Sequence, residues 1–184
     1  MKKILTVFSM VALVTACSES ASLTEQDKAA VLQIEDLALW IEGFEPDPTK
    51  GSLVKTKEFD KSYDIEYTYE DEEGDTPLYL YHSVSVQPSS SDAMIVHKAR
   101  DFGTWIGSGE TNLVTRNDLF SWGDESEFCL WQTESGDTFG NYFTGRKGKK
   151  VVLIAISGVY FDDSEAIHEL LDEKLEALER LPVP

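Results

Sequence analysis

Cysteine is nearly absent from this chain of 184 residues: Cys17 and Cys129 are the only two. They form no Cys-x-x-Cys pair, so neither a zinc ribbon nor a thioredoxin-like redox motif is encoded, and no disulfide framework can be built. Histidine is almost as scarce, with His82, His97 and His168 alone, which leaves little material for proton shuttling or imidazole metal ligation. Basic residues number 16 against 34 acidic ones, a formal net charge of −18. A chain of that sign is repelled by phosphate backbones, which excludes nucleic acid from the expected partners. Long apolar runs are missing too: Ile4–Val14 is the most hydrophobic stretch, and a bilayer-spanning helix needs ~20 apolar residues. No Gly-x-Ser-x-Gly elbow, Walker loop or His-Glu-x-x-His helix occurs.

What the sequence does contain begins at its start. Lys2 and Lys3 precede the apolar stretch, and Val14-Thr15-Ala16-Cys17 ends it with a small residue before a cysteine. Charge, short hydrophobic length and small-residue ending follow in the order of a secretory signal peptide. The ending Val14-Thr15-Ala16-Cys17 resembles the lipobox of bacterial lipoproteins. That resemblance implies removal of residues 1–16 and acylation of Cys17, with palmitate among the attached chains. Ser18 stands where an aspartate would favour inner-membrane retention. The implied address is therefore the periplasmic face of the outer membrane in a diderm, or the outer face of the cell membrane in a monoderm. Several acyl chains suffice for durable anchoring, because each buried methylene contributes ~0.8 kcal/mol.

Loss of residues 1–16 takes away Lys2 and Lys3 and no acid, leaving 14 basic residues against 34 acidic ones and a net charge of −20. The acids are spread along the chain, as solubility alone would require. The same charge also suits a cationic partner: a basic protein or peptide, a polyamine or a divalent ion. Residues 17–23 read as a lipidated tether and residues 24–184 as one globular α+β domain, long enough to bury a real core.

Hydrophobic periodicity divides that domain. A first helix is expected from Thr24, capped by Ser22 and Glu25, with Val31, Ile34, Leu37, Ala38 and Ile41 as its stripe and Gly43 as its stop. Ser52–Phe59 is a weak strand. Tyr63, Ile65, Tyr67 and Tyr69 alternate with Asp64, Glu66, Thr68 and Glu70, and Leu78, Leu80, His82, Val84 and Val86 alternate with Tyr79 and Tyr81. Both patterns predict strands with one buried face, joined through the acidic turn 71–75. A second helix starts at Ser90 or Ser91, with Ile95, Ala99, Phe102 and Ile106 as its stripe. A small hairpin turning at Asn117-Asp118 is expected in Asn112–Trp122. Strands follow at Glu127–Thr133, Thr138–Arg146 and Val151–Phe161, separated by Ser135-Gly136-Asp137 and Lys147-Gly148-Lys149 turns. The unbroken apolar run Val151–Ile156 reads as a central strand covered on both faces. The last helix opens at Asp162–Glu165 and carries Ile167, Leu170, Leu171, Leu175 and Leu178.

This order predicts an α+β fold: an antiparallel sheet of about six to seven strands from two α-βββ halves, packed with three helices. In element order it loosely resembles α/β sandwiches of the PsbP/Mog1 type, a likeness that implies a fold and not a function.

Catalytic chemistry finds little support. Cys129 lies in the apolar Glu127-Phe128-Cys129-Leu130-Trp131 segment, which fits an inert core thiol better than a nucleophile. The histidines fit core or helix-surface positions. Asp172 occupies the place of a second zinc-binding histidine after His168. The acidic turn 71–75 lacks the alternating ligands of a calcium loop. No cofactor and no metal site is expected. The expected binding surface is the side of the sheet carrying Tyr79, Tyr81, Asp64 and Glu66, where tyrosines and carboxylates would suit a cationic protein or peptide unless a helix covers them.

Three function classes remain. The first is a membrane-anchored, non-enzymatic binding module of the cell envelope. The second is an acidic inhibitor or immunity protein against a basic partner. The third is an envelope hydrolase working through scattered carboxylates or His82, which would need a concave pocket around such a group.

Overall fold

A computed structural model describes residues 19–72, 77–107 and 111–184, with only the backbone described for 101–107. Cys17 and the signal segment lie outside the described residues. So do the tip of the acidic turn and the Phe102 and Ile106 side chains.

Alternation of buried and half-exposed residues sets the strands. In β3 (Tyr63–Asp71), Tyr63, Ile65, Tyr67 and Tyr69 are buried and the residues between them are not. The other strands are β1 (Glu19–Ser20), β2 (Gly51–Lys57), β4 (Leu78–Val86), β5 (Asn112–Thr115), β6 (Glu125–Gln132), β7 (Thr138–Lys147) and β8 (Lys150–Ser157). They form one antiparallel sheet of eight strands in the order β1-β2-β3-β4-β8-β7-β6-β5. Two meanders thus meet where β4 pairs with β8, from Tyr79 opposite Ser157 to Val86 opposite Lys150. β8 is central, and its apolar run Val151–Ile156 is buried throughout, as a strand covered on both faces requires.

The inner face of the sheet carries the main core. There Ile65, Tyr69, Leu80, Val84, Phe143, Val152 and Ile154 pack beneath α4 (Ser164–Arg180). α4 buries Ile167, Leu170, Leu171, Leu175 and Leu178, the stripe expected from its spacing. Asp163 caps it by accepting from the Ala166 amide at 3.0 Å. On the outer face α3 (Ser90–Gly107) packs on β7 and β8. Beneath it a smaller cluster gathers Cys129, Tyr142, Leu153 and Ala155. Cys129 is 1% exposed, a buried core thiol.

The expected first helix is instead two short ones, α1 (Glu25–Ala29) and α2 (Ile34–Ala38). Val31, Leu32, Ile34 and Leu37 are all fully buried. A continuous helix would place Leu32 about a quarter-turn off the stripe of Val31, Ile34 and Leu37. The break lets all four reach the core. Its freed backbone donors find side chains on the sheet: the Leu32 amide donates to His82 Nδ1 at 2.7 Å and the Ile34 amide to the Tyr67 hydroxyl at 3.2 Å. Thr24, and not Ser22, is the first N-cap, and its capping box closes on Asp27 in place of Glu25.

The segment after α3 also differs from expectation. Asn112–Thr115 pairs with Cys129–Gln132, so Asn117 and Asp118 lie in a longer connection between β5 and β6 and not at the tip of a small hairpin. That connection is pinned by Phe120, 3% exposed, whose ring stands 5.2 Å from that of Phe143. A glycine permits close backbone approach in β7, since a Cβ on Gly140 would collide with the Ile156 carbonyl oxygen.

Candidate functional site

The register of β2, β3 and β4 brings the four expected residues onto one face. Asp64 lies opposite Ser85, Glu66 opposite Ser83, Thr68 opposite Tyr81 and Glu70 opposite Tyr79. Val54 of β2 lies opposite Glu66 and continues the row. This is the outer face, the side on which α3 packs over β7 and β8. Tyr79, Tyr81, Asp64 and Glu66 are each half-buried, whereas Val54 and Glu70 are exposed.

Two of the four are joined directly. The Tyr81 hydroxyl donates to Glu66 Oε1 at 2.9 Å, a diagonal cross-strand contact within reach of a long side chain. Asp64 is engaged from above: Arg100 of α3 stands 3.6 Å from its carboxylate and donates to the Ser83 carbonyl at 3.4 Å. The second helix layer therefore covers the Asp64 end, and the surface opens toward Glu66, Glu70 and Val54.

The phenols stay protonated on this surface. Burial pushes the Tyr79 hydroxyl up to about 12, with the charges of Glu70 and Glu66 adding to it. Burial, then the Glu66 charge, raises Tyr81 as well. Two neutral donors and two aromatic faces thus stand beside anionic acceptors. Carboxylates attract ammonium and guanidinium groups, and the tyrosine faces take the same cations through their quadrupoles. Glu70 and Val54 were not singled out from the sequence, although the period-two pattern that assigned Glu66 assigns Glu70 to the same face.

The histidines lie elsewhere. His82 is fully buried on the inner face. Burial, with the charges of Lys174 and Arg100, depresses its pKa to about 3, so it is neutral. His97 belongs to α3 and is buried on its sheet-facing side, with Glu125 of β6 3.7 Å away. His168 is exposed on α4, its Nδ1 3.0 Å from Asp172 and its ring 4.9 Å from that of Phe120. Among the described residues no three His, Cys, Asp or Glu side chains come together to hold a metal ion. A small void of about 10 Å³ lies between Phe128, Phe143 and Leu170. An open groove of about 780 Å³ runs past Lys55, Phe59, Tyr63 and Pro182. Neither is lined by a histidine. No described helix is long and apolar enough to cross a membrane.

Comparison with family models, with curated proteins and with solved structures finds no match.

Proposed function

We propose that this protein is a lipid-anchored envelope protein whose domain binds a cationic protein or peptide without catalysing a reaction. The observation that carries the reading is the open end of the outer sheet face. Exposed Glu70, half-buried Glu66 and the rings of Tyr79 and Tyr81 meet there on a rigid strand pair. A sheet supports such a surface with little ordering cost on binding. Anchoring through Cys17 would hold the module at the membrane surface.

A second reading, an acidic inhibitor or immunity protein, is favoured by the net charge of −20 on the chain from Cys17 onward. The two differ in what drives association. A module recognising its partner through the fixed carboxylates and rings of one face loses affinity when Glu66 or Glu70 alone is neutralised, whereas an inhibitor steered by bulk charge responds to the total charge and hardly to either residue.

The test has two arms. Cells given labelled palmitate should incorporate it into the protein, and Cys17→Ser should abolish both the label and membrane association. Titration of the purified domain with lysine- and arginine-rich peptides should give saturable binding that Glu70→Gln weakens. A protein that matures unlabelled, or that ignores such peptides at every salt concentration, contradicts the corresponding half of the proposal.

A further inference from the structure

The edge of the sheet fixes where the chain reaches its anchor. β1 pairs antiparallel with β2, Glu19 opposite Lys57 and Ser20 opposite Thr56, and the Ala21 amide donates to the Lys55 carbonyl at 2.9 Å. Chain direction in that pairing puts the start of β1 at the end of β2 that leads into the β2–β3 turn. Cys17 precedes Glu19 by two residues, and two residues span at most ~7 Å. Glu19, where the described chain begins two residues after the proposed anchor, sits beside Lys57 and the turn that follows it.

That turn carries the most exposed large apolar side chain among the described residues, Phe59, at 94%. Its neighbours in space are the chain end Pro182-Val183-Pro184, which lines the same groove, and Val183 is 48% exposed. The Tyr63 hydroxyl donates to the Pro182 carbonyl at 2.6 Å and holds that end in place. Lys57 and Lys61 flank the turn, both exposed and with no carboxylate partner among the described residues. Glu19 and Glu58 line the groove too. The turn's own Asp60 is exposed as well, so the local balance is two cations, Lys57 and Lys61, against three acids, Glu19, Glu58 and Asp60, a smaller acidic excess than the 14 basic against 34 acidic residues from Cys17 onward.

We infer that the β2–β3 turn is a second membrane contact, with Phe59 inserted into the interfacial layer of the bilayer that holds the Cys17 anchor. The inference rests on the lipoprotein reading above and adds an orientation to it. Aromatic rings favour the headgroup boundary, and the two lysines beside Phe59 offset part of the repulsion that the acids of this domain meet at phospholipid. With the turn on the bilayer, the domain is held in one pose and not left to tumble on its tether. Because the contact is apolar, it persists in high salt.

The test uses the full lipidated chain in vesicles of phosphatidylethanolamine and phosphatidylglycerol. In a Cys129→Ala background, Phe59→Cys and Leu39→Cys are each labelled with an environment-sensitive fluorophore, Leu39 being 86% exposed at the end of α2. The expected result is a blue shift and loss of iodide quenching at position 59, in low and high salt, with position 39 unchanged. A chain that is acylated and vesicle-bound but equally quenched at position 59 with and without lipid overturns this inference and leaves the anchor standing. A chain that carries no acyl group and does not bind vesicles overturns both.

Discussion

The backbone N–H of Leu32 donates to Nδ1 of His82 across 2.7 Å in the interior, joining residues fifty positions apart in sequence. The bond fixes the imidazole as the Nε2-protonated tautomer, because Nδ1 must offer its lone pair. It also explains the interruption between α1 and α2, since the amide that a continuous helix would use internally is spent on the sheet.

The same bond makes stability depend on pH. His82 titrates at about 3 in the fold, depressed by burial and then by Lys174 and Arg100, against an ordinary value of ~6.5 in the unfolded chain. Between those values the unfolded state binds the extra proton, so stability falls as pH drops below about 6.5. Asparagine places an amide oxygen near the position of Nδ1 and does not titrate. His82→Asn should therefore unfold with a flatter pH profile than the wild type over that window. His82→Ala leaves the Leu32 donor unsatisfied beside a new cavity and should cost about 2–4 kcal/mol. Denaturant midpoints measured at several pH values check both; profiles that superimpose for wild type and His82→Asn would refute the assignment.

A second buried polar link fastens α1 to β2. Lys55 Nζ donates to both oxygens of Asp27, at 2.7 and 2.9 Å, and stands 4.5 Å over the Tyr63 ring. Burial alone would raise the Asp27 pKa, but hydrogen bonds from Lys55 and Thr24 outweigh it and hold the carboxyl below its ordinary value. A depressed carboxyl contributes stability above its unfolded pKa of 3.8 and loses it as pH falls through the lower folded value. This loss lies on the acid side of the His82 window. Asp27→Asn or Lys55→Met alone should each cost about 3–5 kcal/mol, because each strands the other charge. The double variant should cost less than the two together, which chemical denaturation of all four proteins measures.

How far the fold can be read from the chain depends on where the organising contacts lie. The strands β3, β4, β7 and β8 and the helix α4 follow from local alternation and helical spacing, and the β6–β7 and β7–β8 turns carry Gly136 and Gly148 at positive φ. Those signals sit within a few residues of what they organise. The α1–α2 break is different: its cause, His82, is fifty residues away, and nothing in Val31–Gln33 announces a terminus. β1 escaped notice because two residues paired on an edge carry no period. β5 was blurred because Phe120, in a loop, is as apolar as a strand residue.

The shared face of the four candidate residues was legible to the same degree, which is all that the register bears on. Period-two reasoning put Tyr79, Tyr81, Asp64 and Glu66 on one side of the sheet, and the observed register agrees. What it could not supply was coverage: Arg100, on a helix of unknown crossing position, reaches Asp64 and divides the face. Nothing in the weak pattern of β2 marks the Phe59 turn, and a lone exposed aromatic gains meaning only beside β1, the first described strand.

The Tyr81–Glu66 bond separates support from recognition on the proposed binding face. Tyr81→Phe keeps the ring and removes one neutral-to-charged hydrogen bond, so the fold should lose only about 1–2 kcal/mol. It also releases the Glu66 carboxylate to rotate. If that carboxylate must be held in place to receive a cation, Tyr81→Phe will weaken peptide binding at unchanged net charge. Glu66→Gln removes the charge itself and should weaken binding further while flattening its salt dependence, since one attraction disappears from the encounter. Calorimetric titration with a fixed basic peptide at two salt concentrations distinguishes the cases. Should both variants bind as the wild type does, the cation lands elsewhere on this acidic domain, and the outer face of β3 and β4 is packing surface alone.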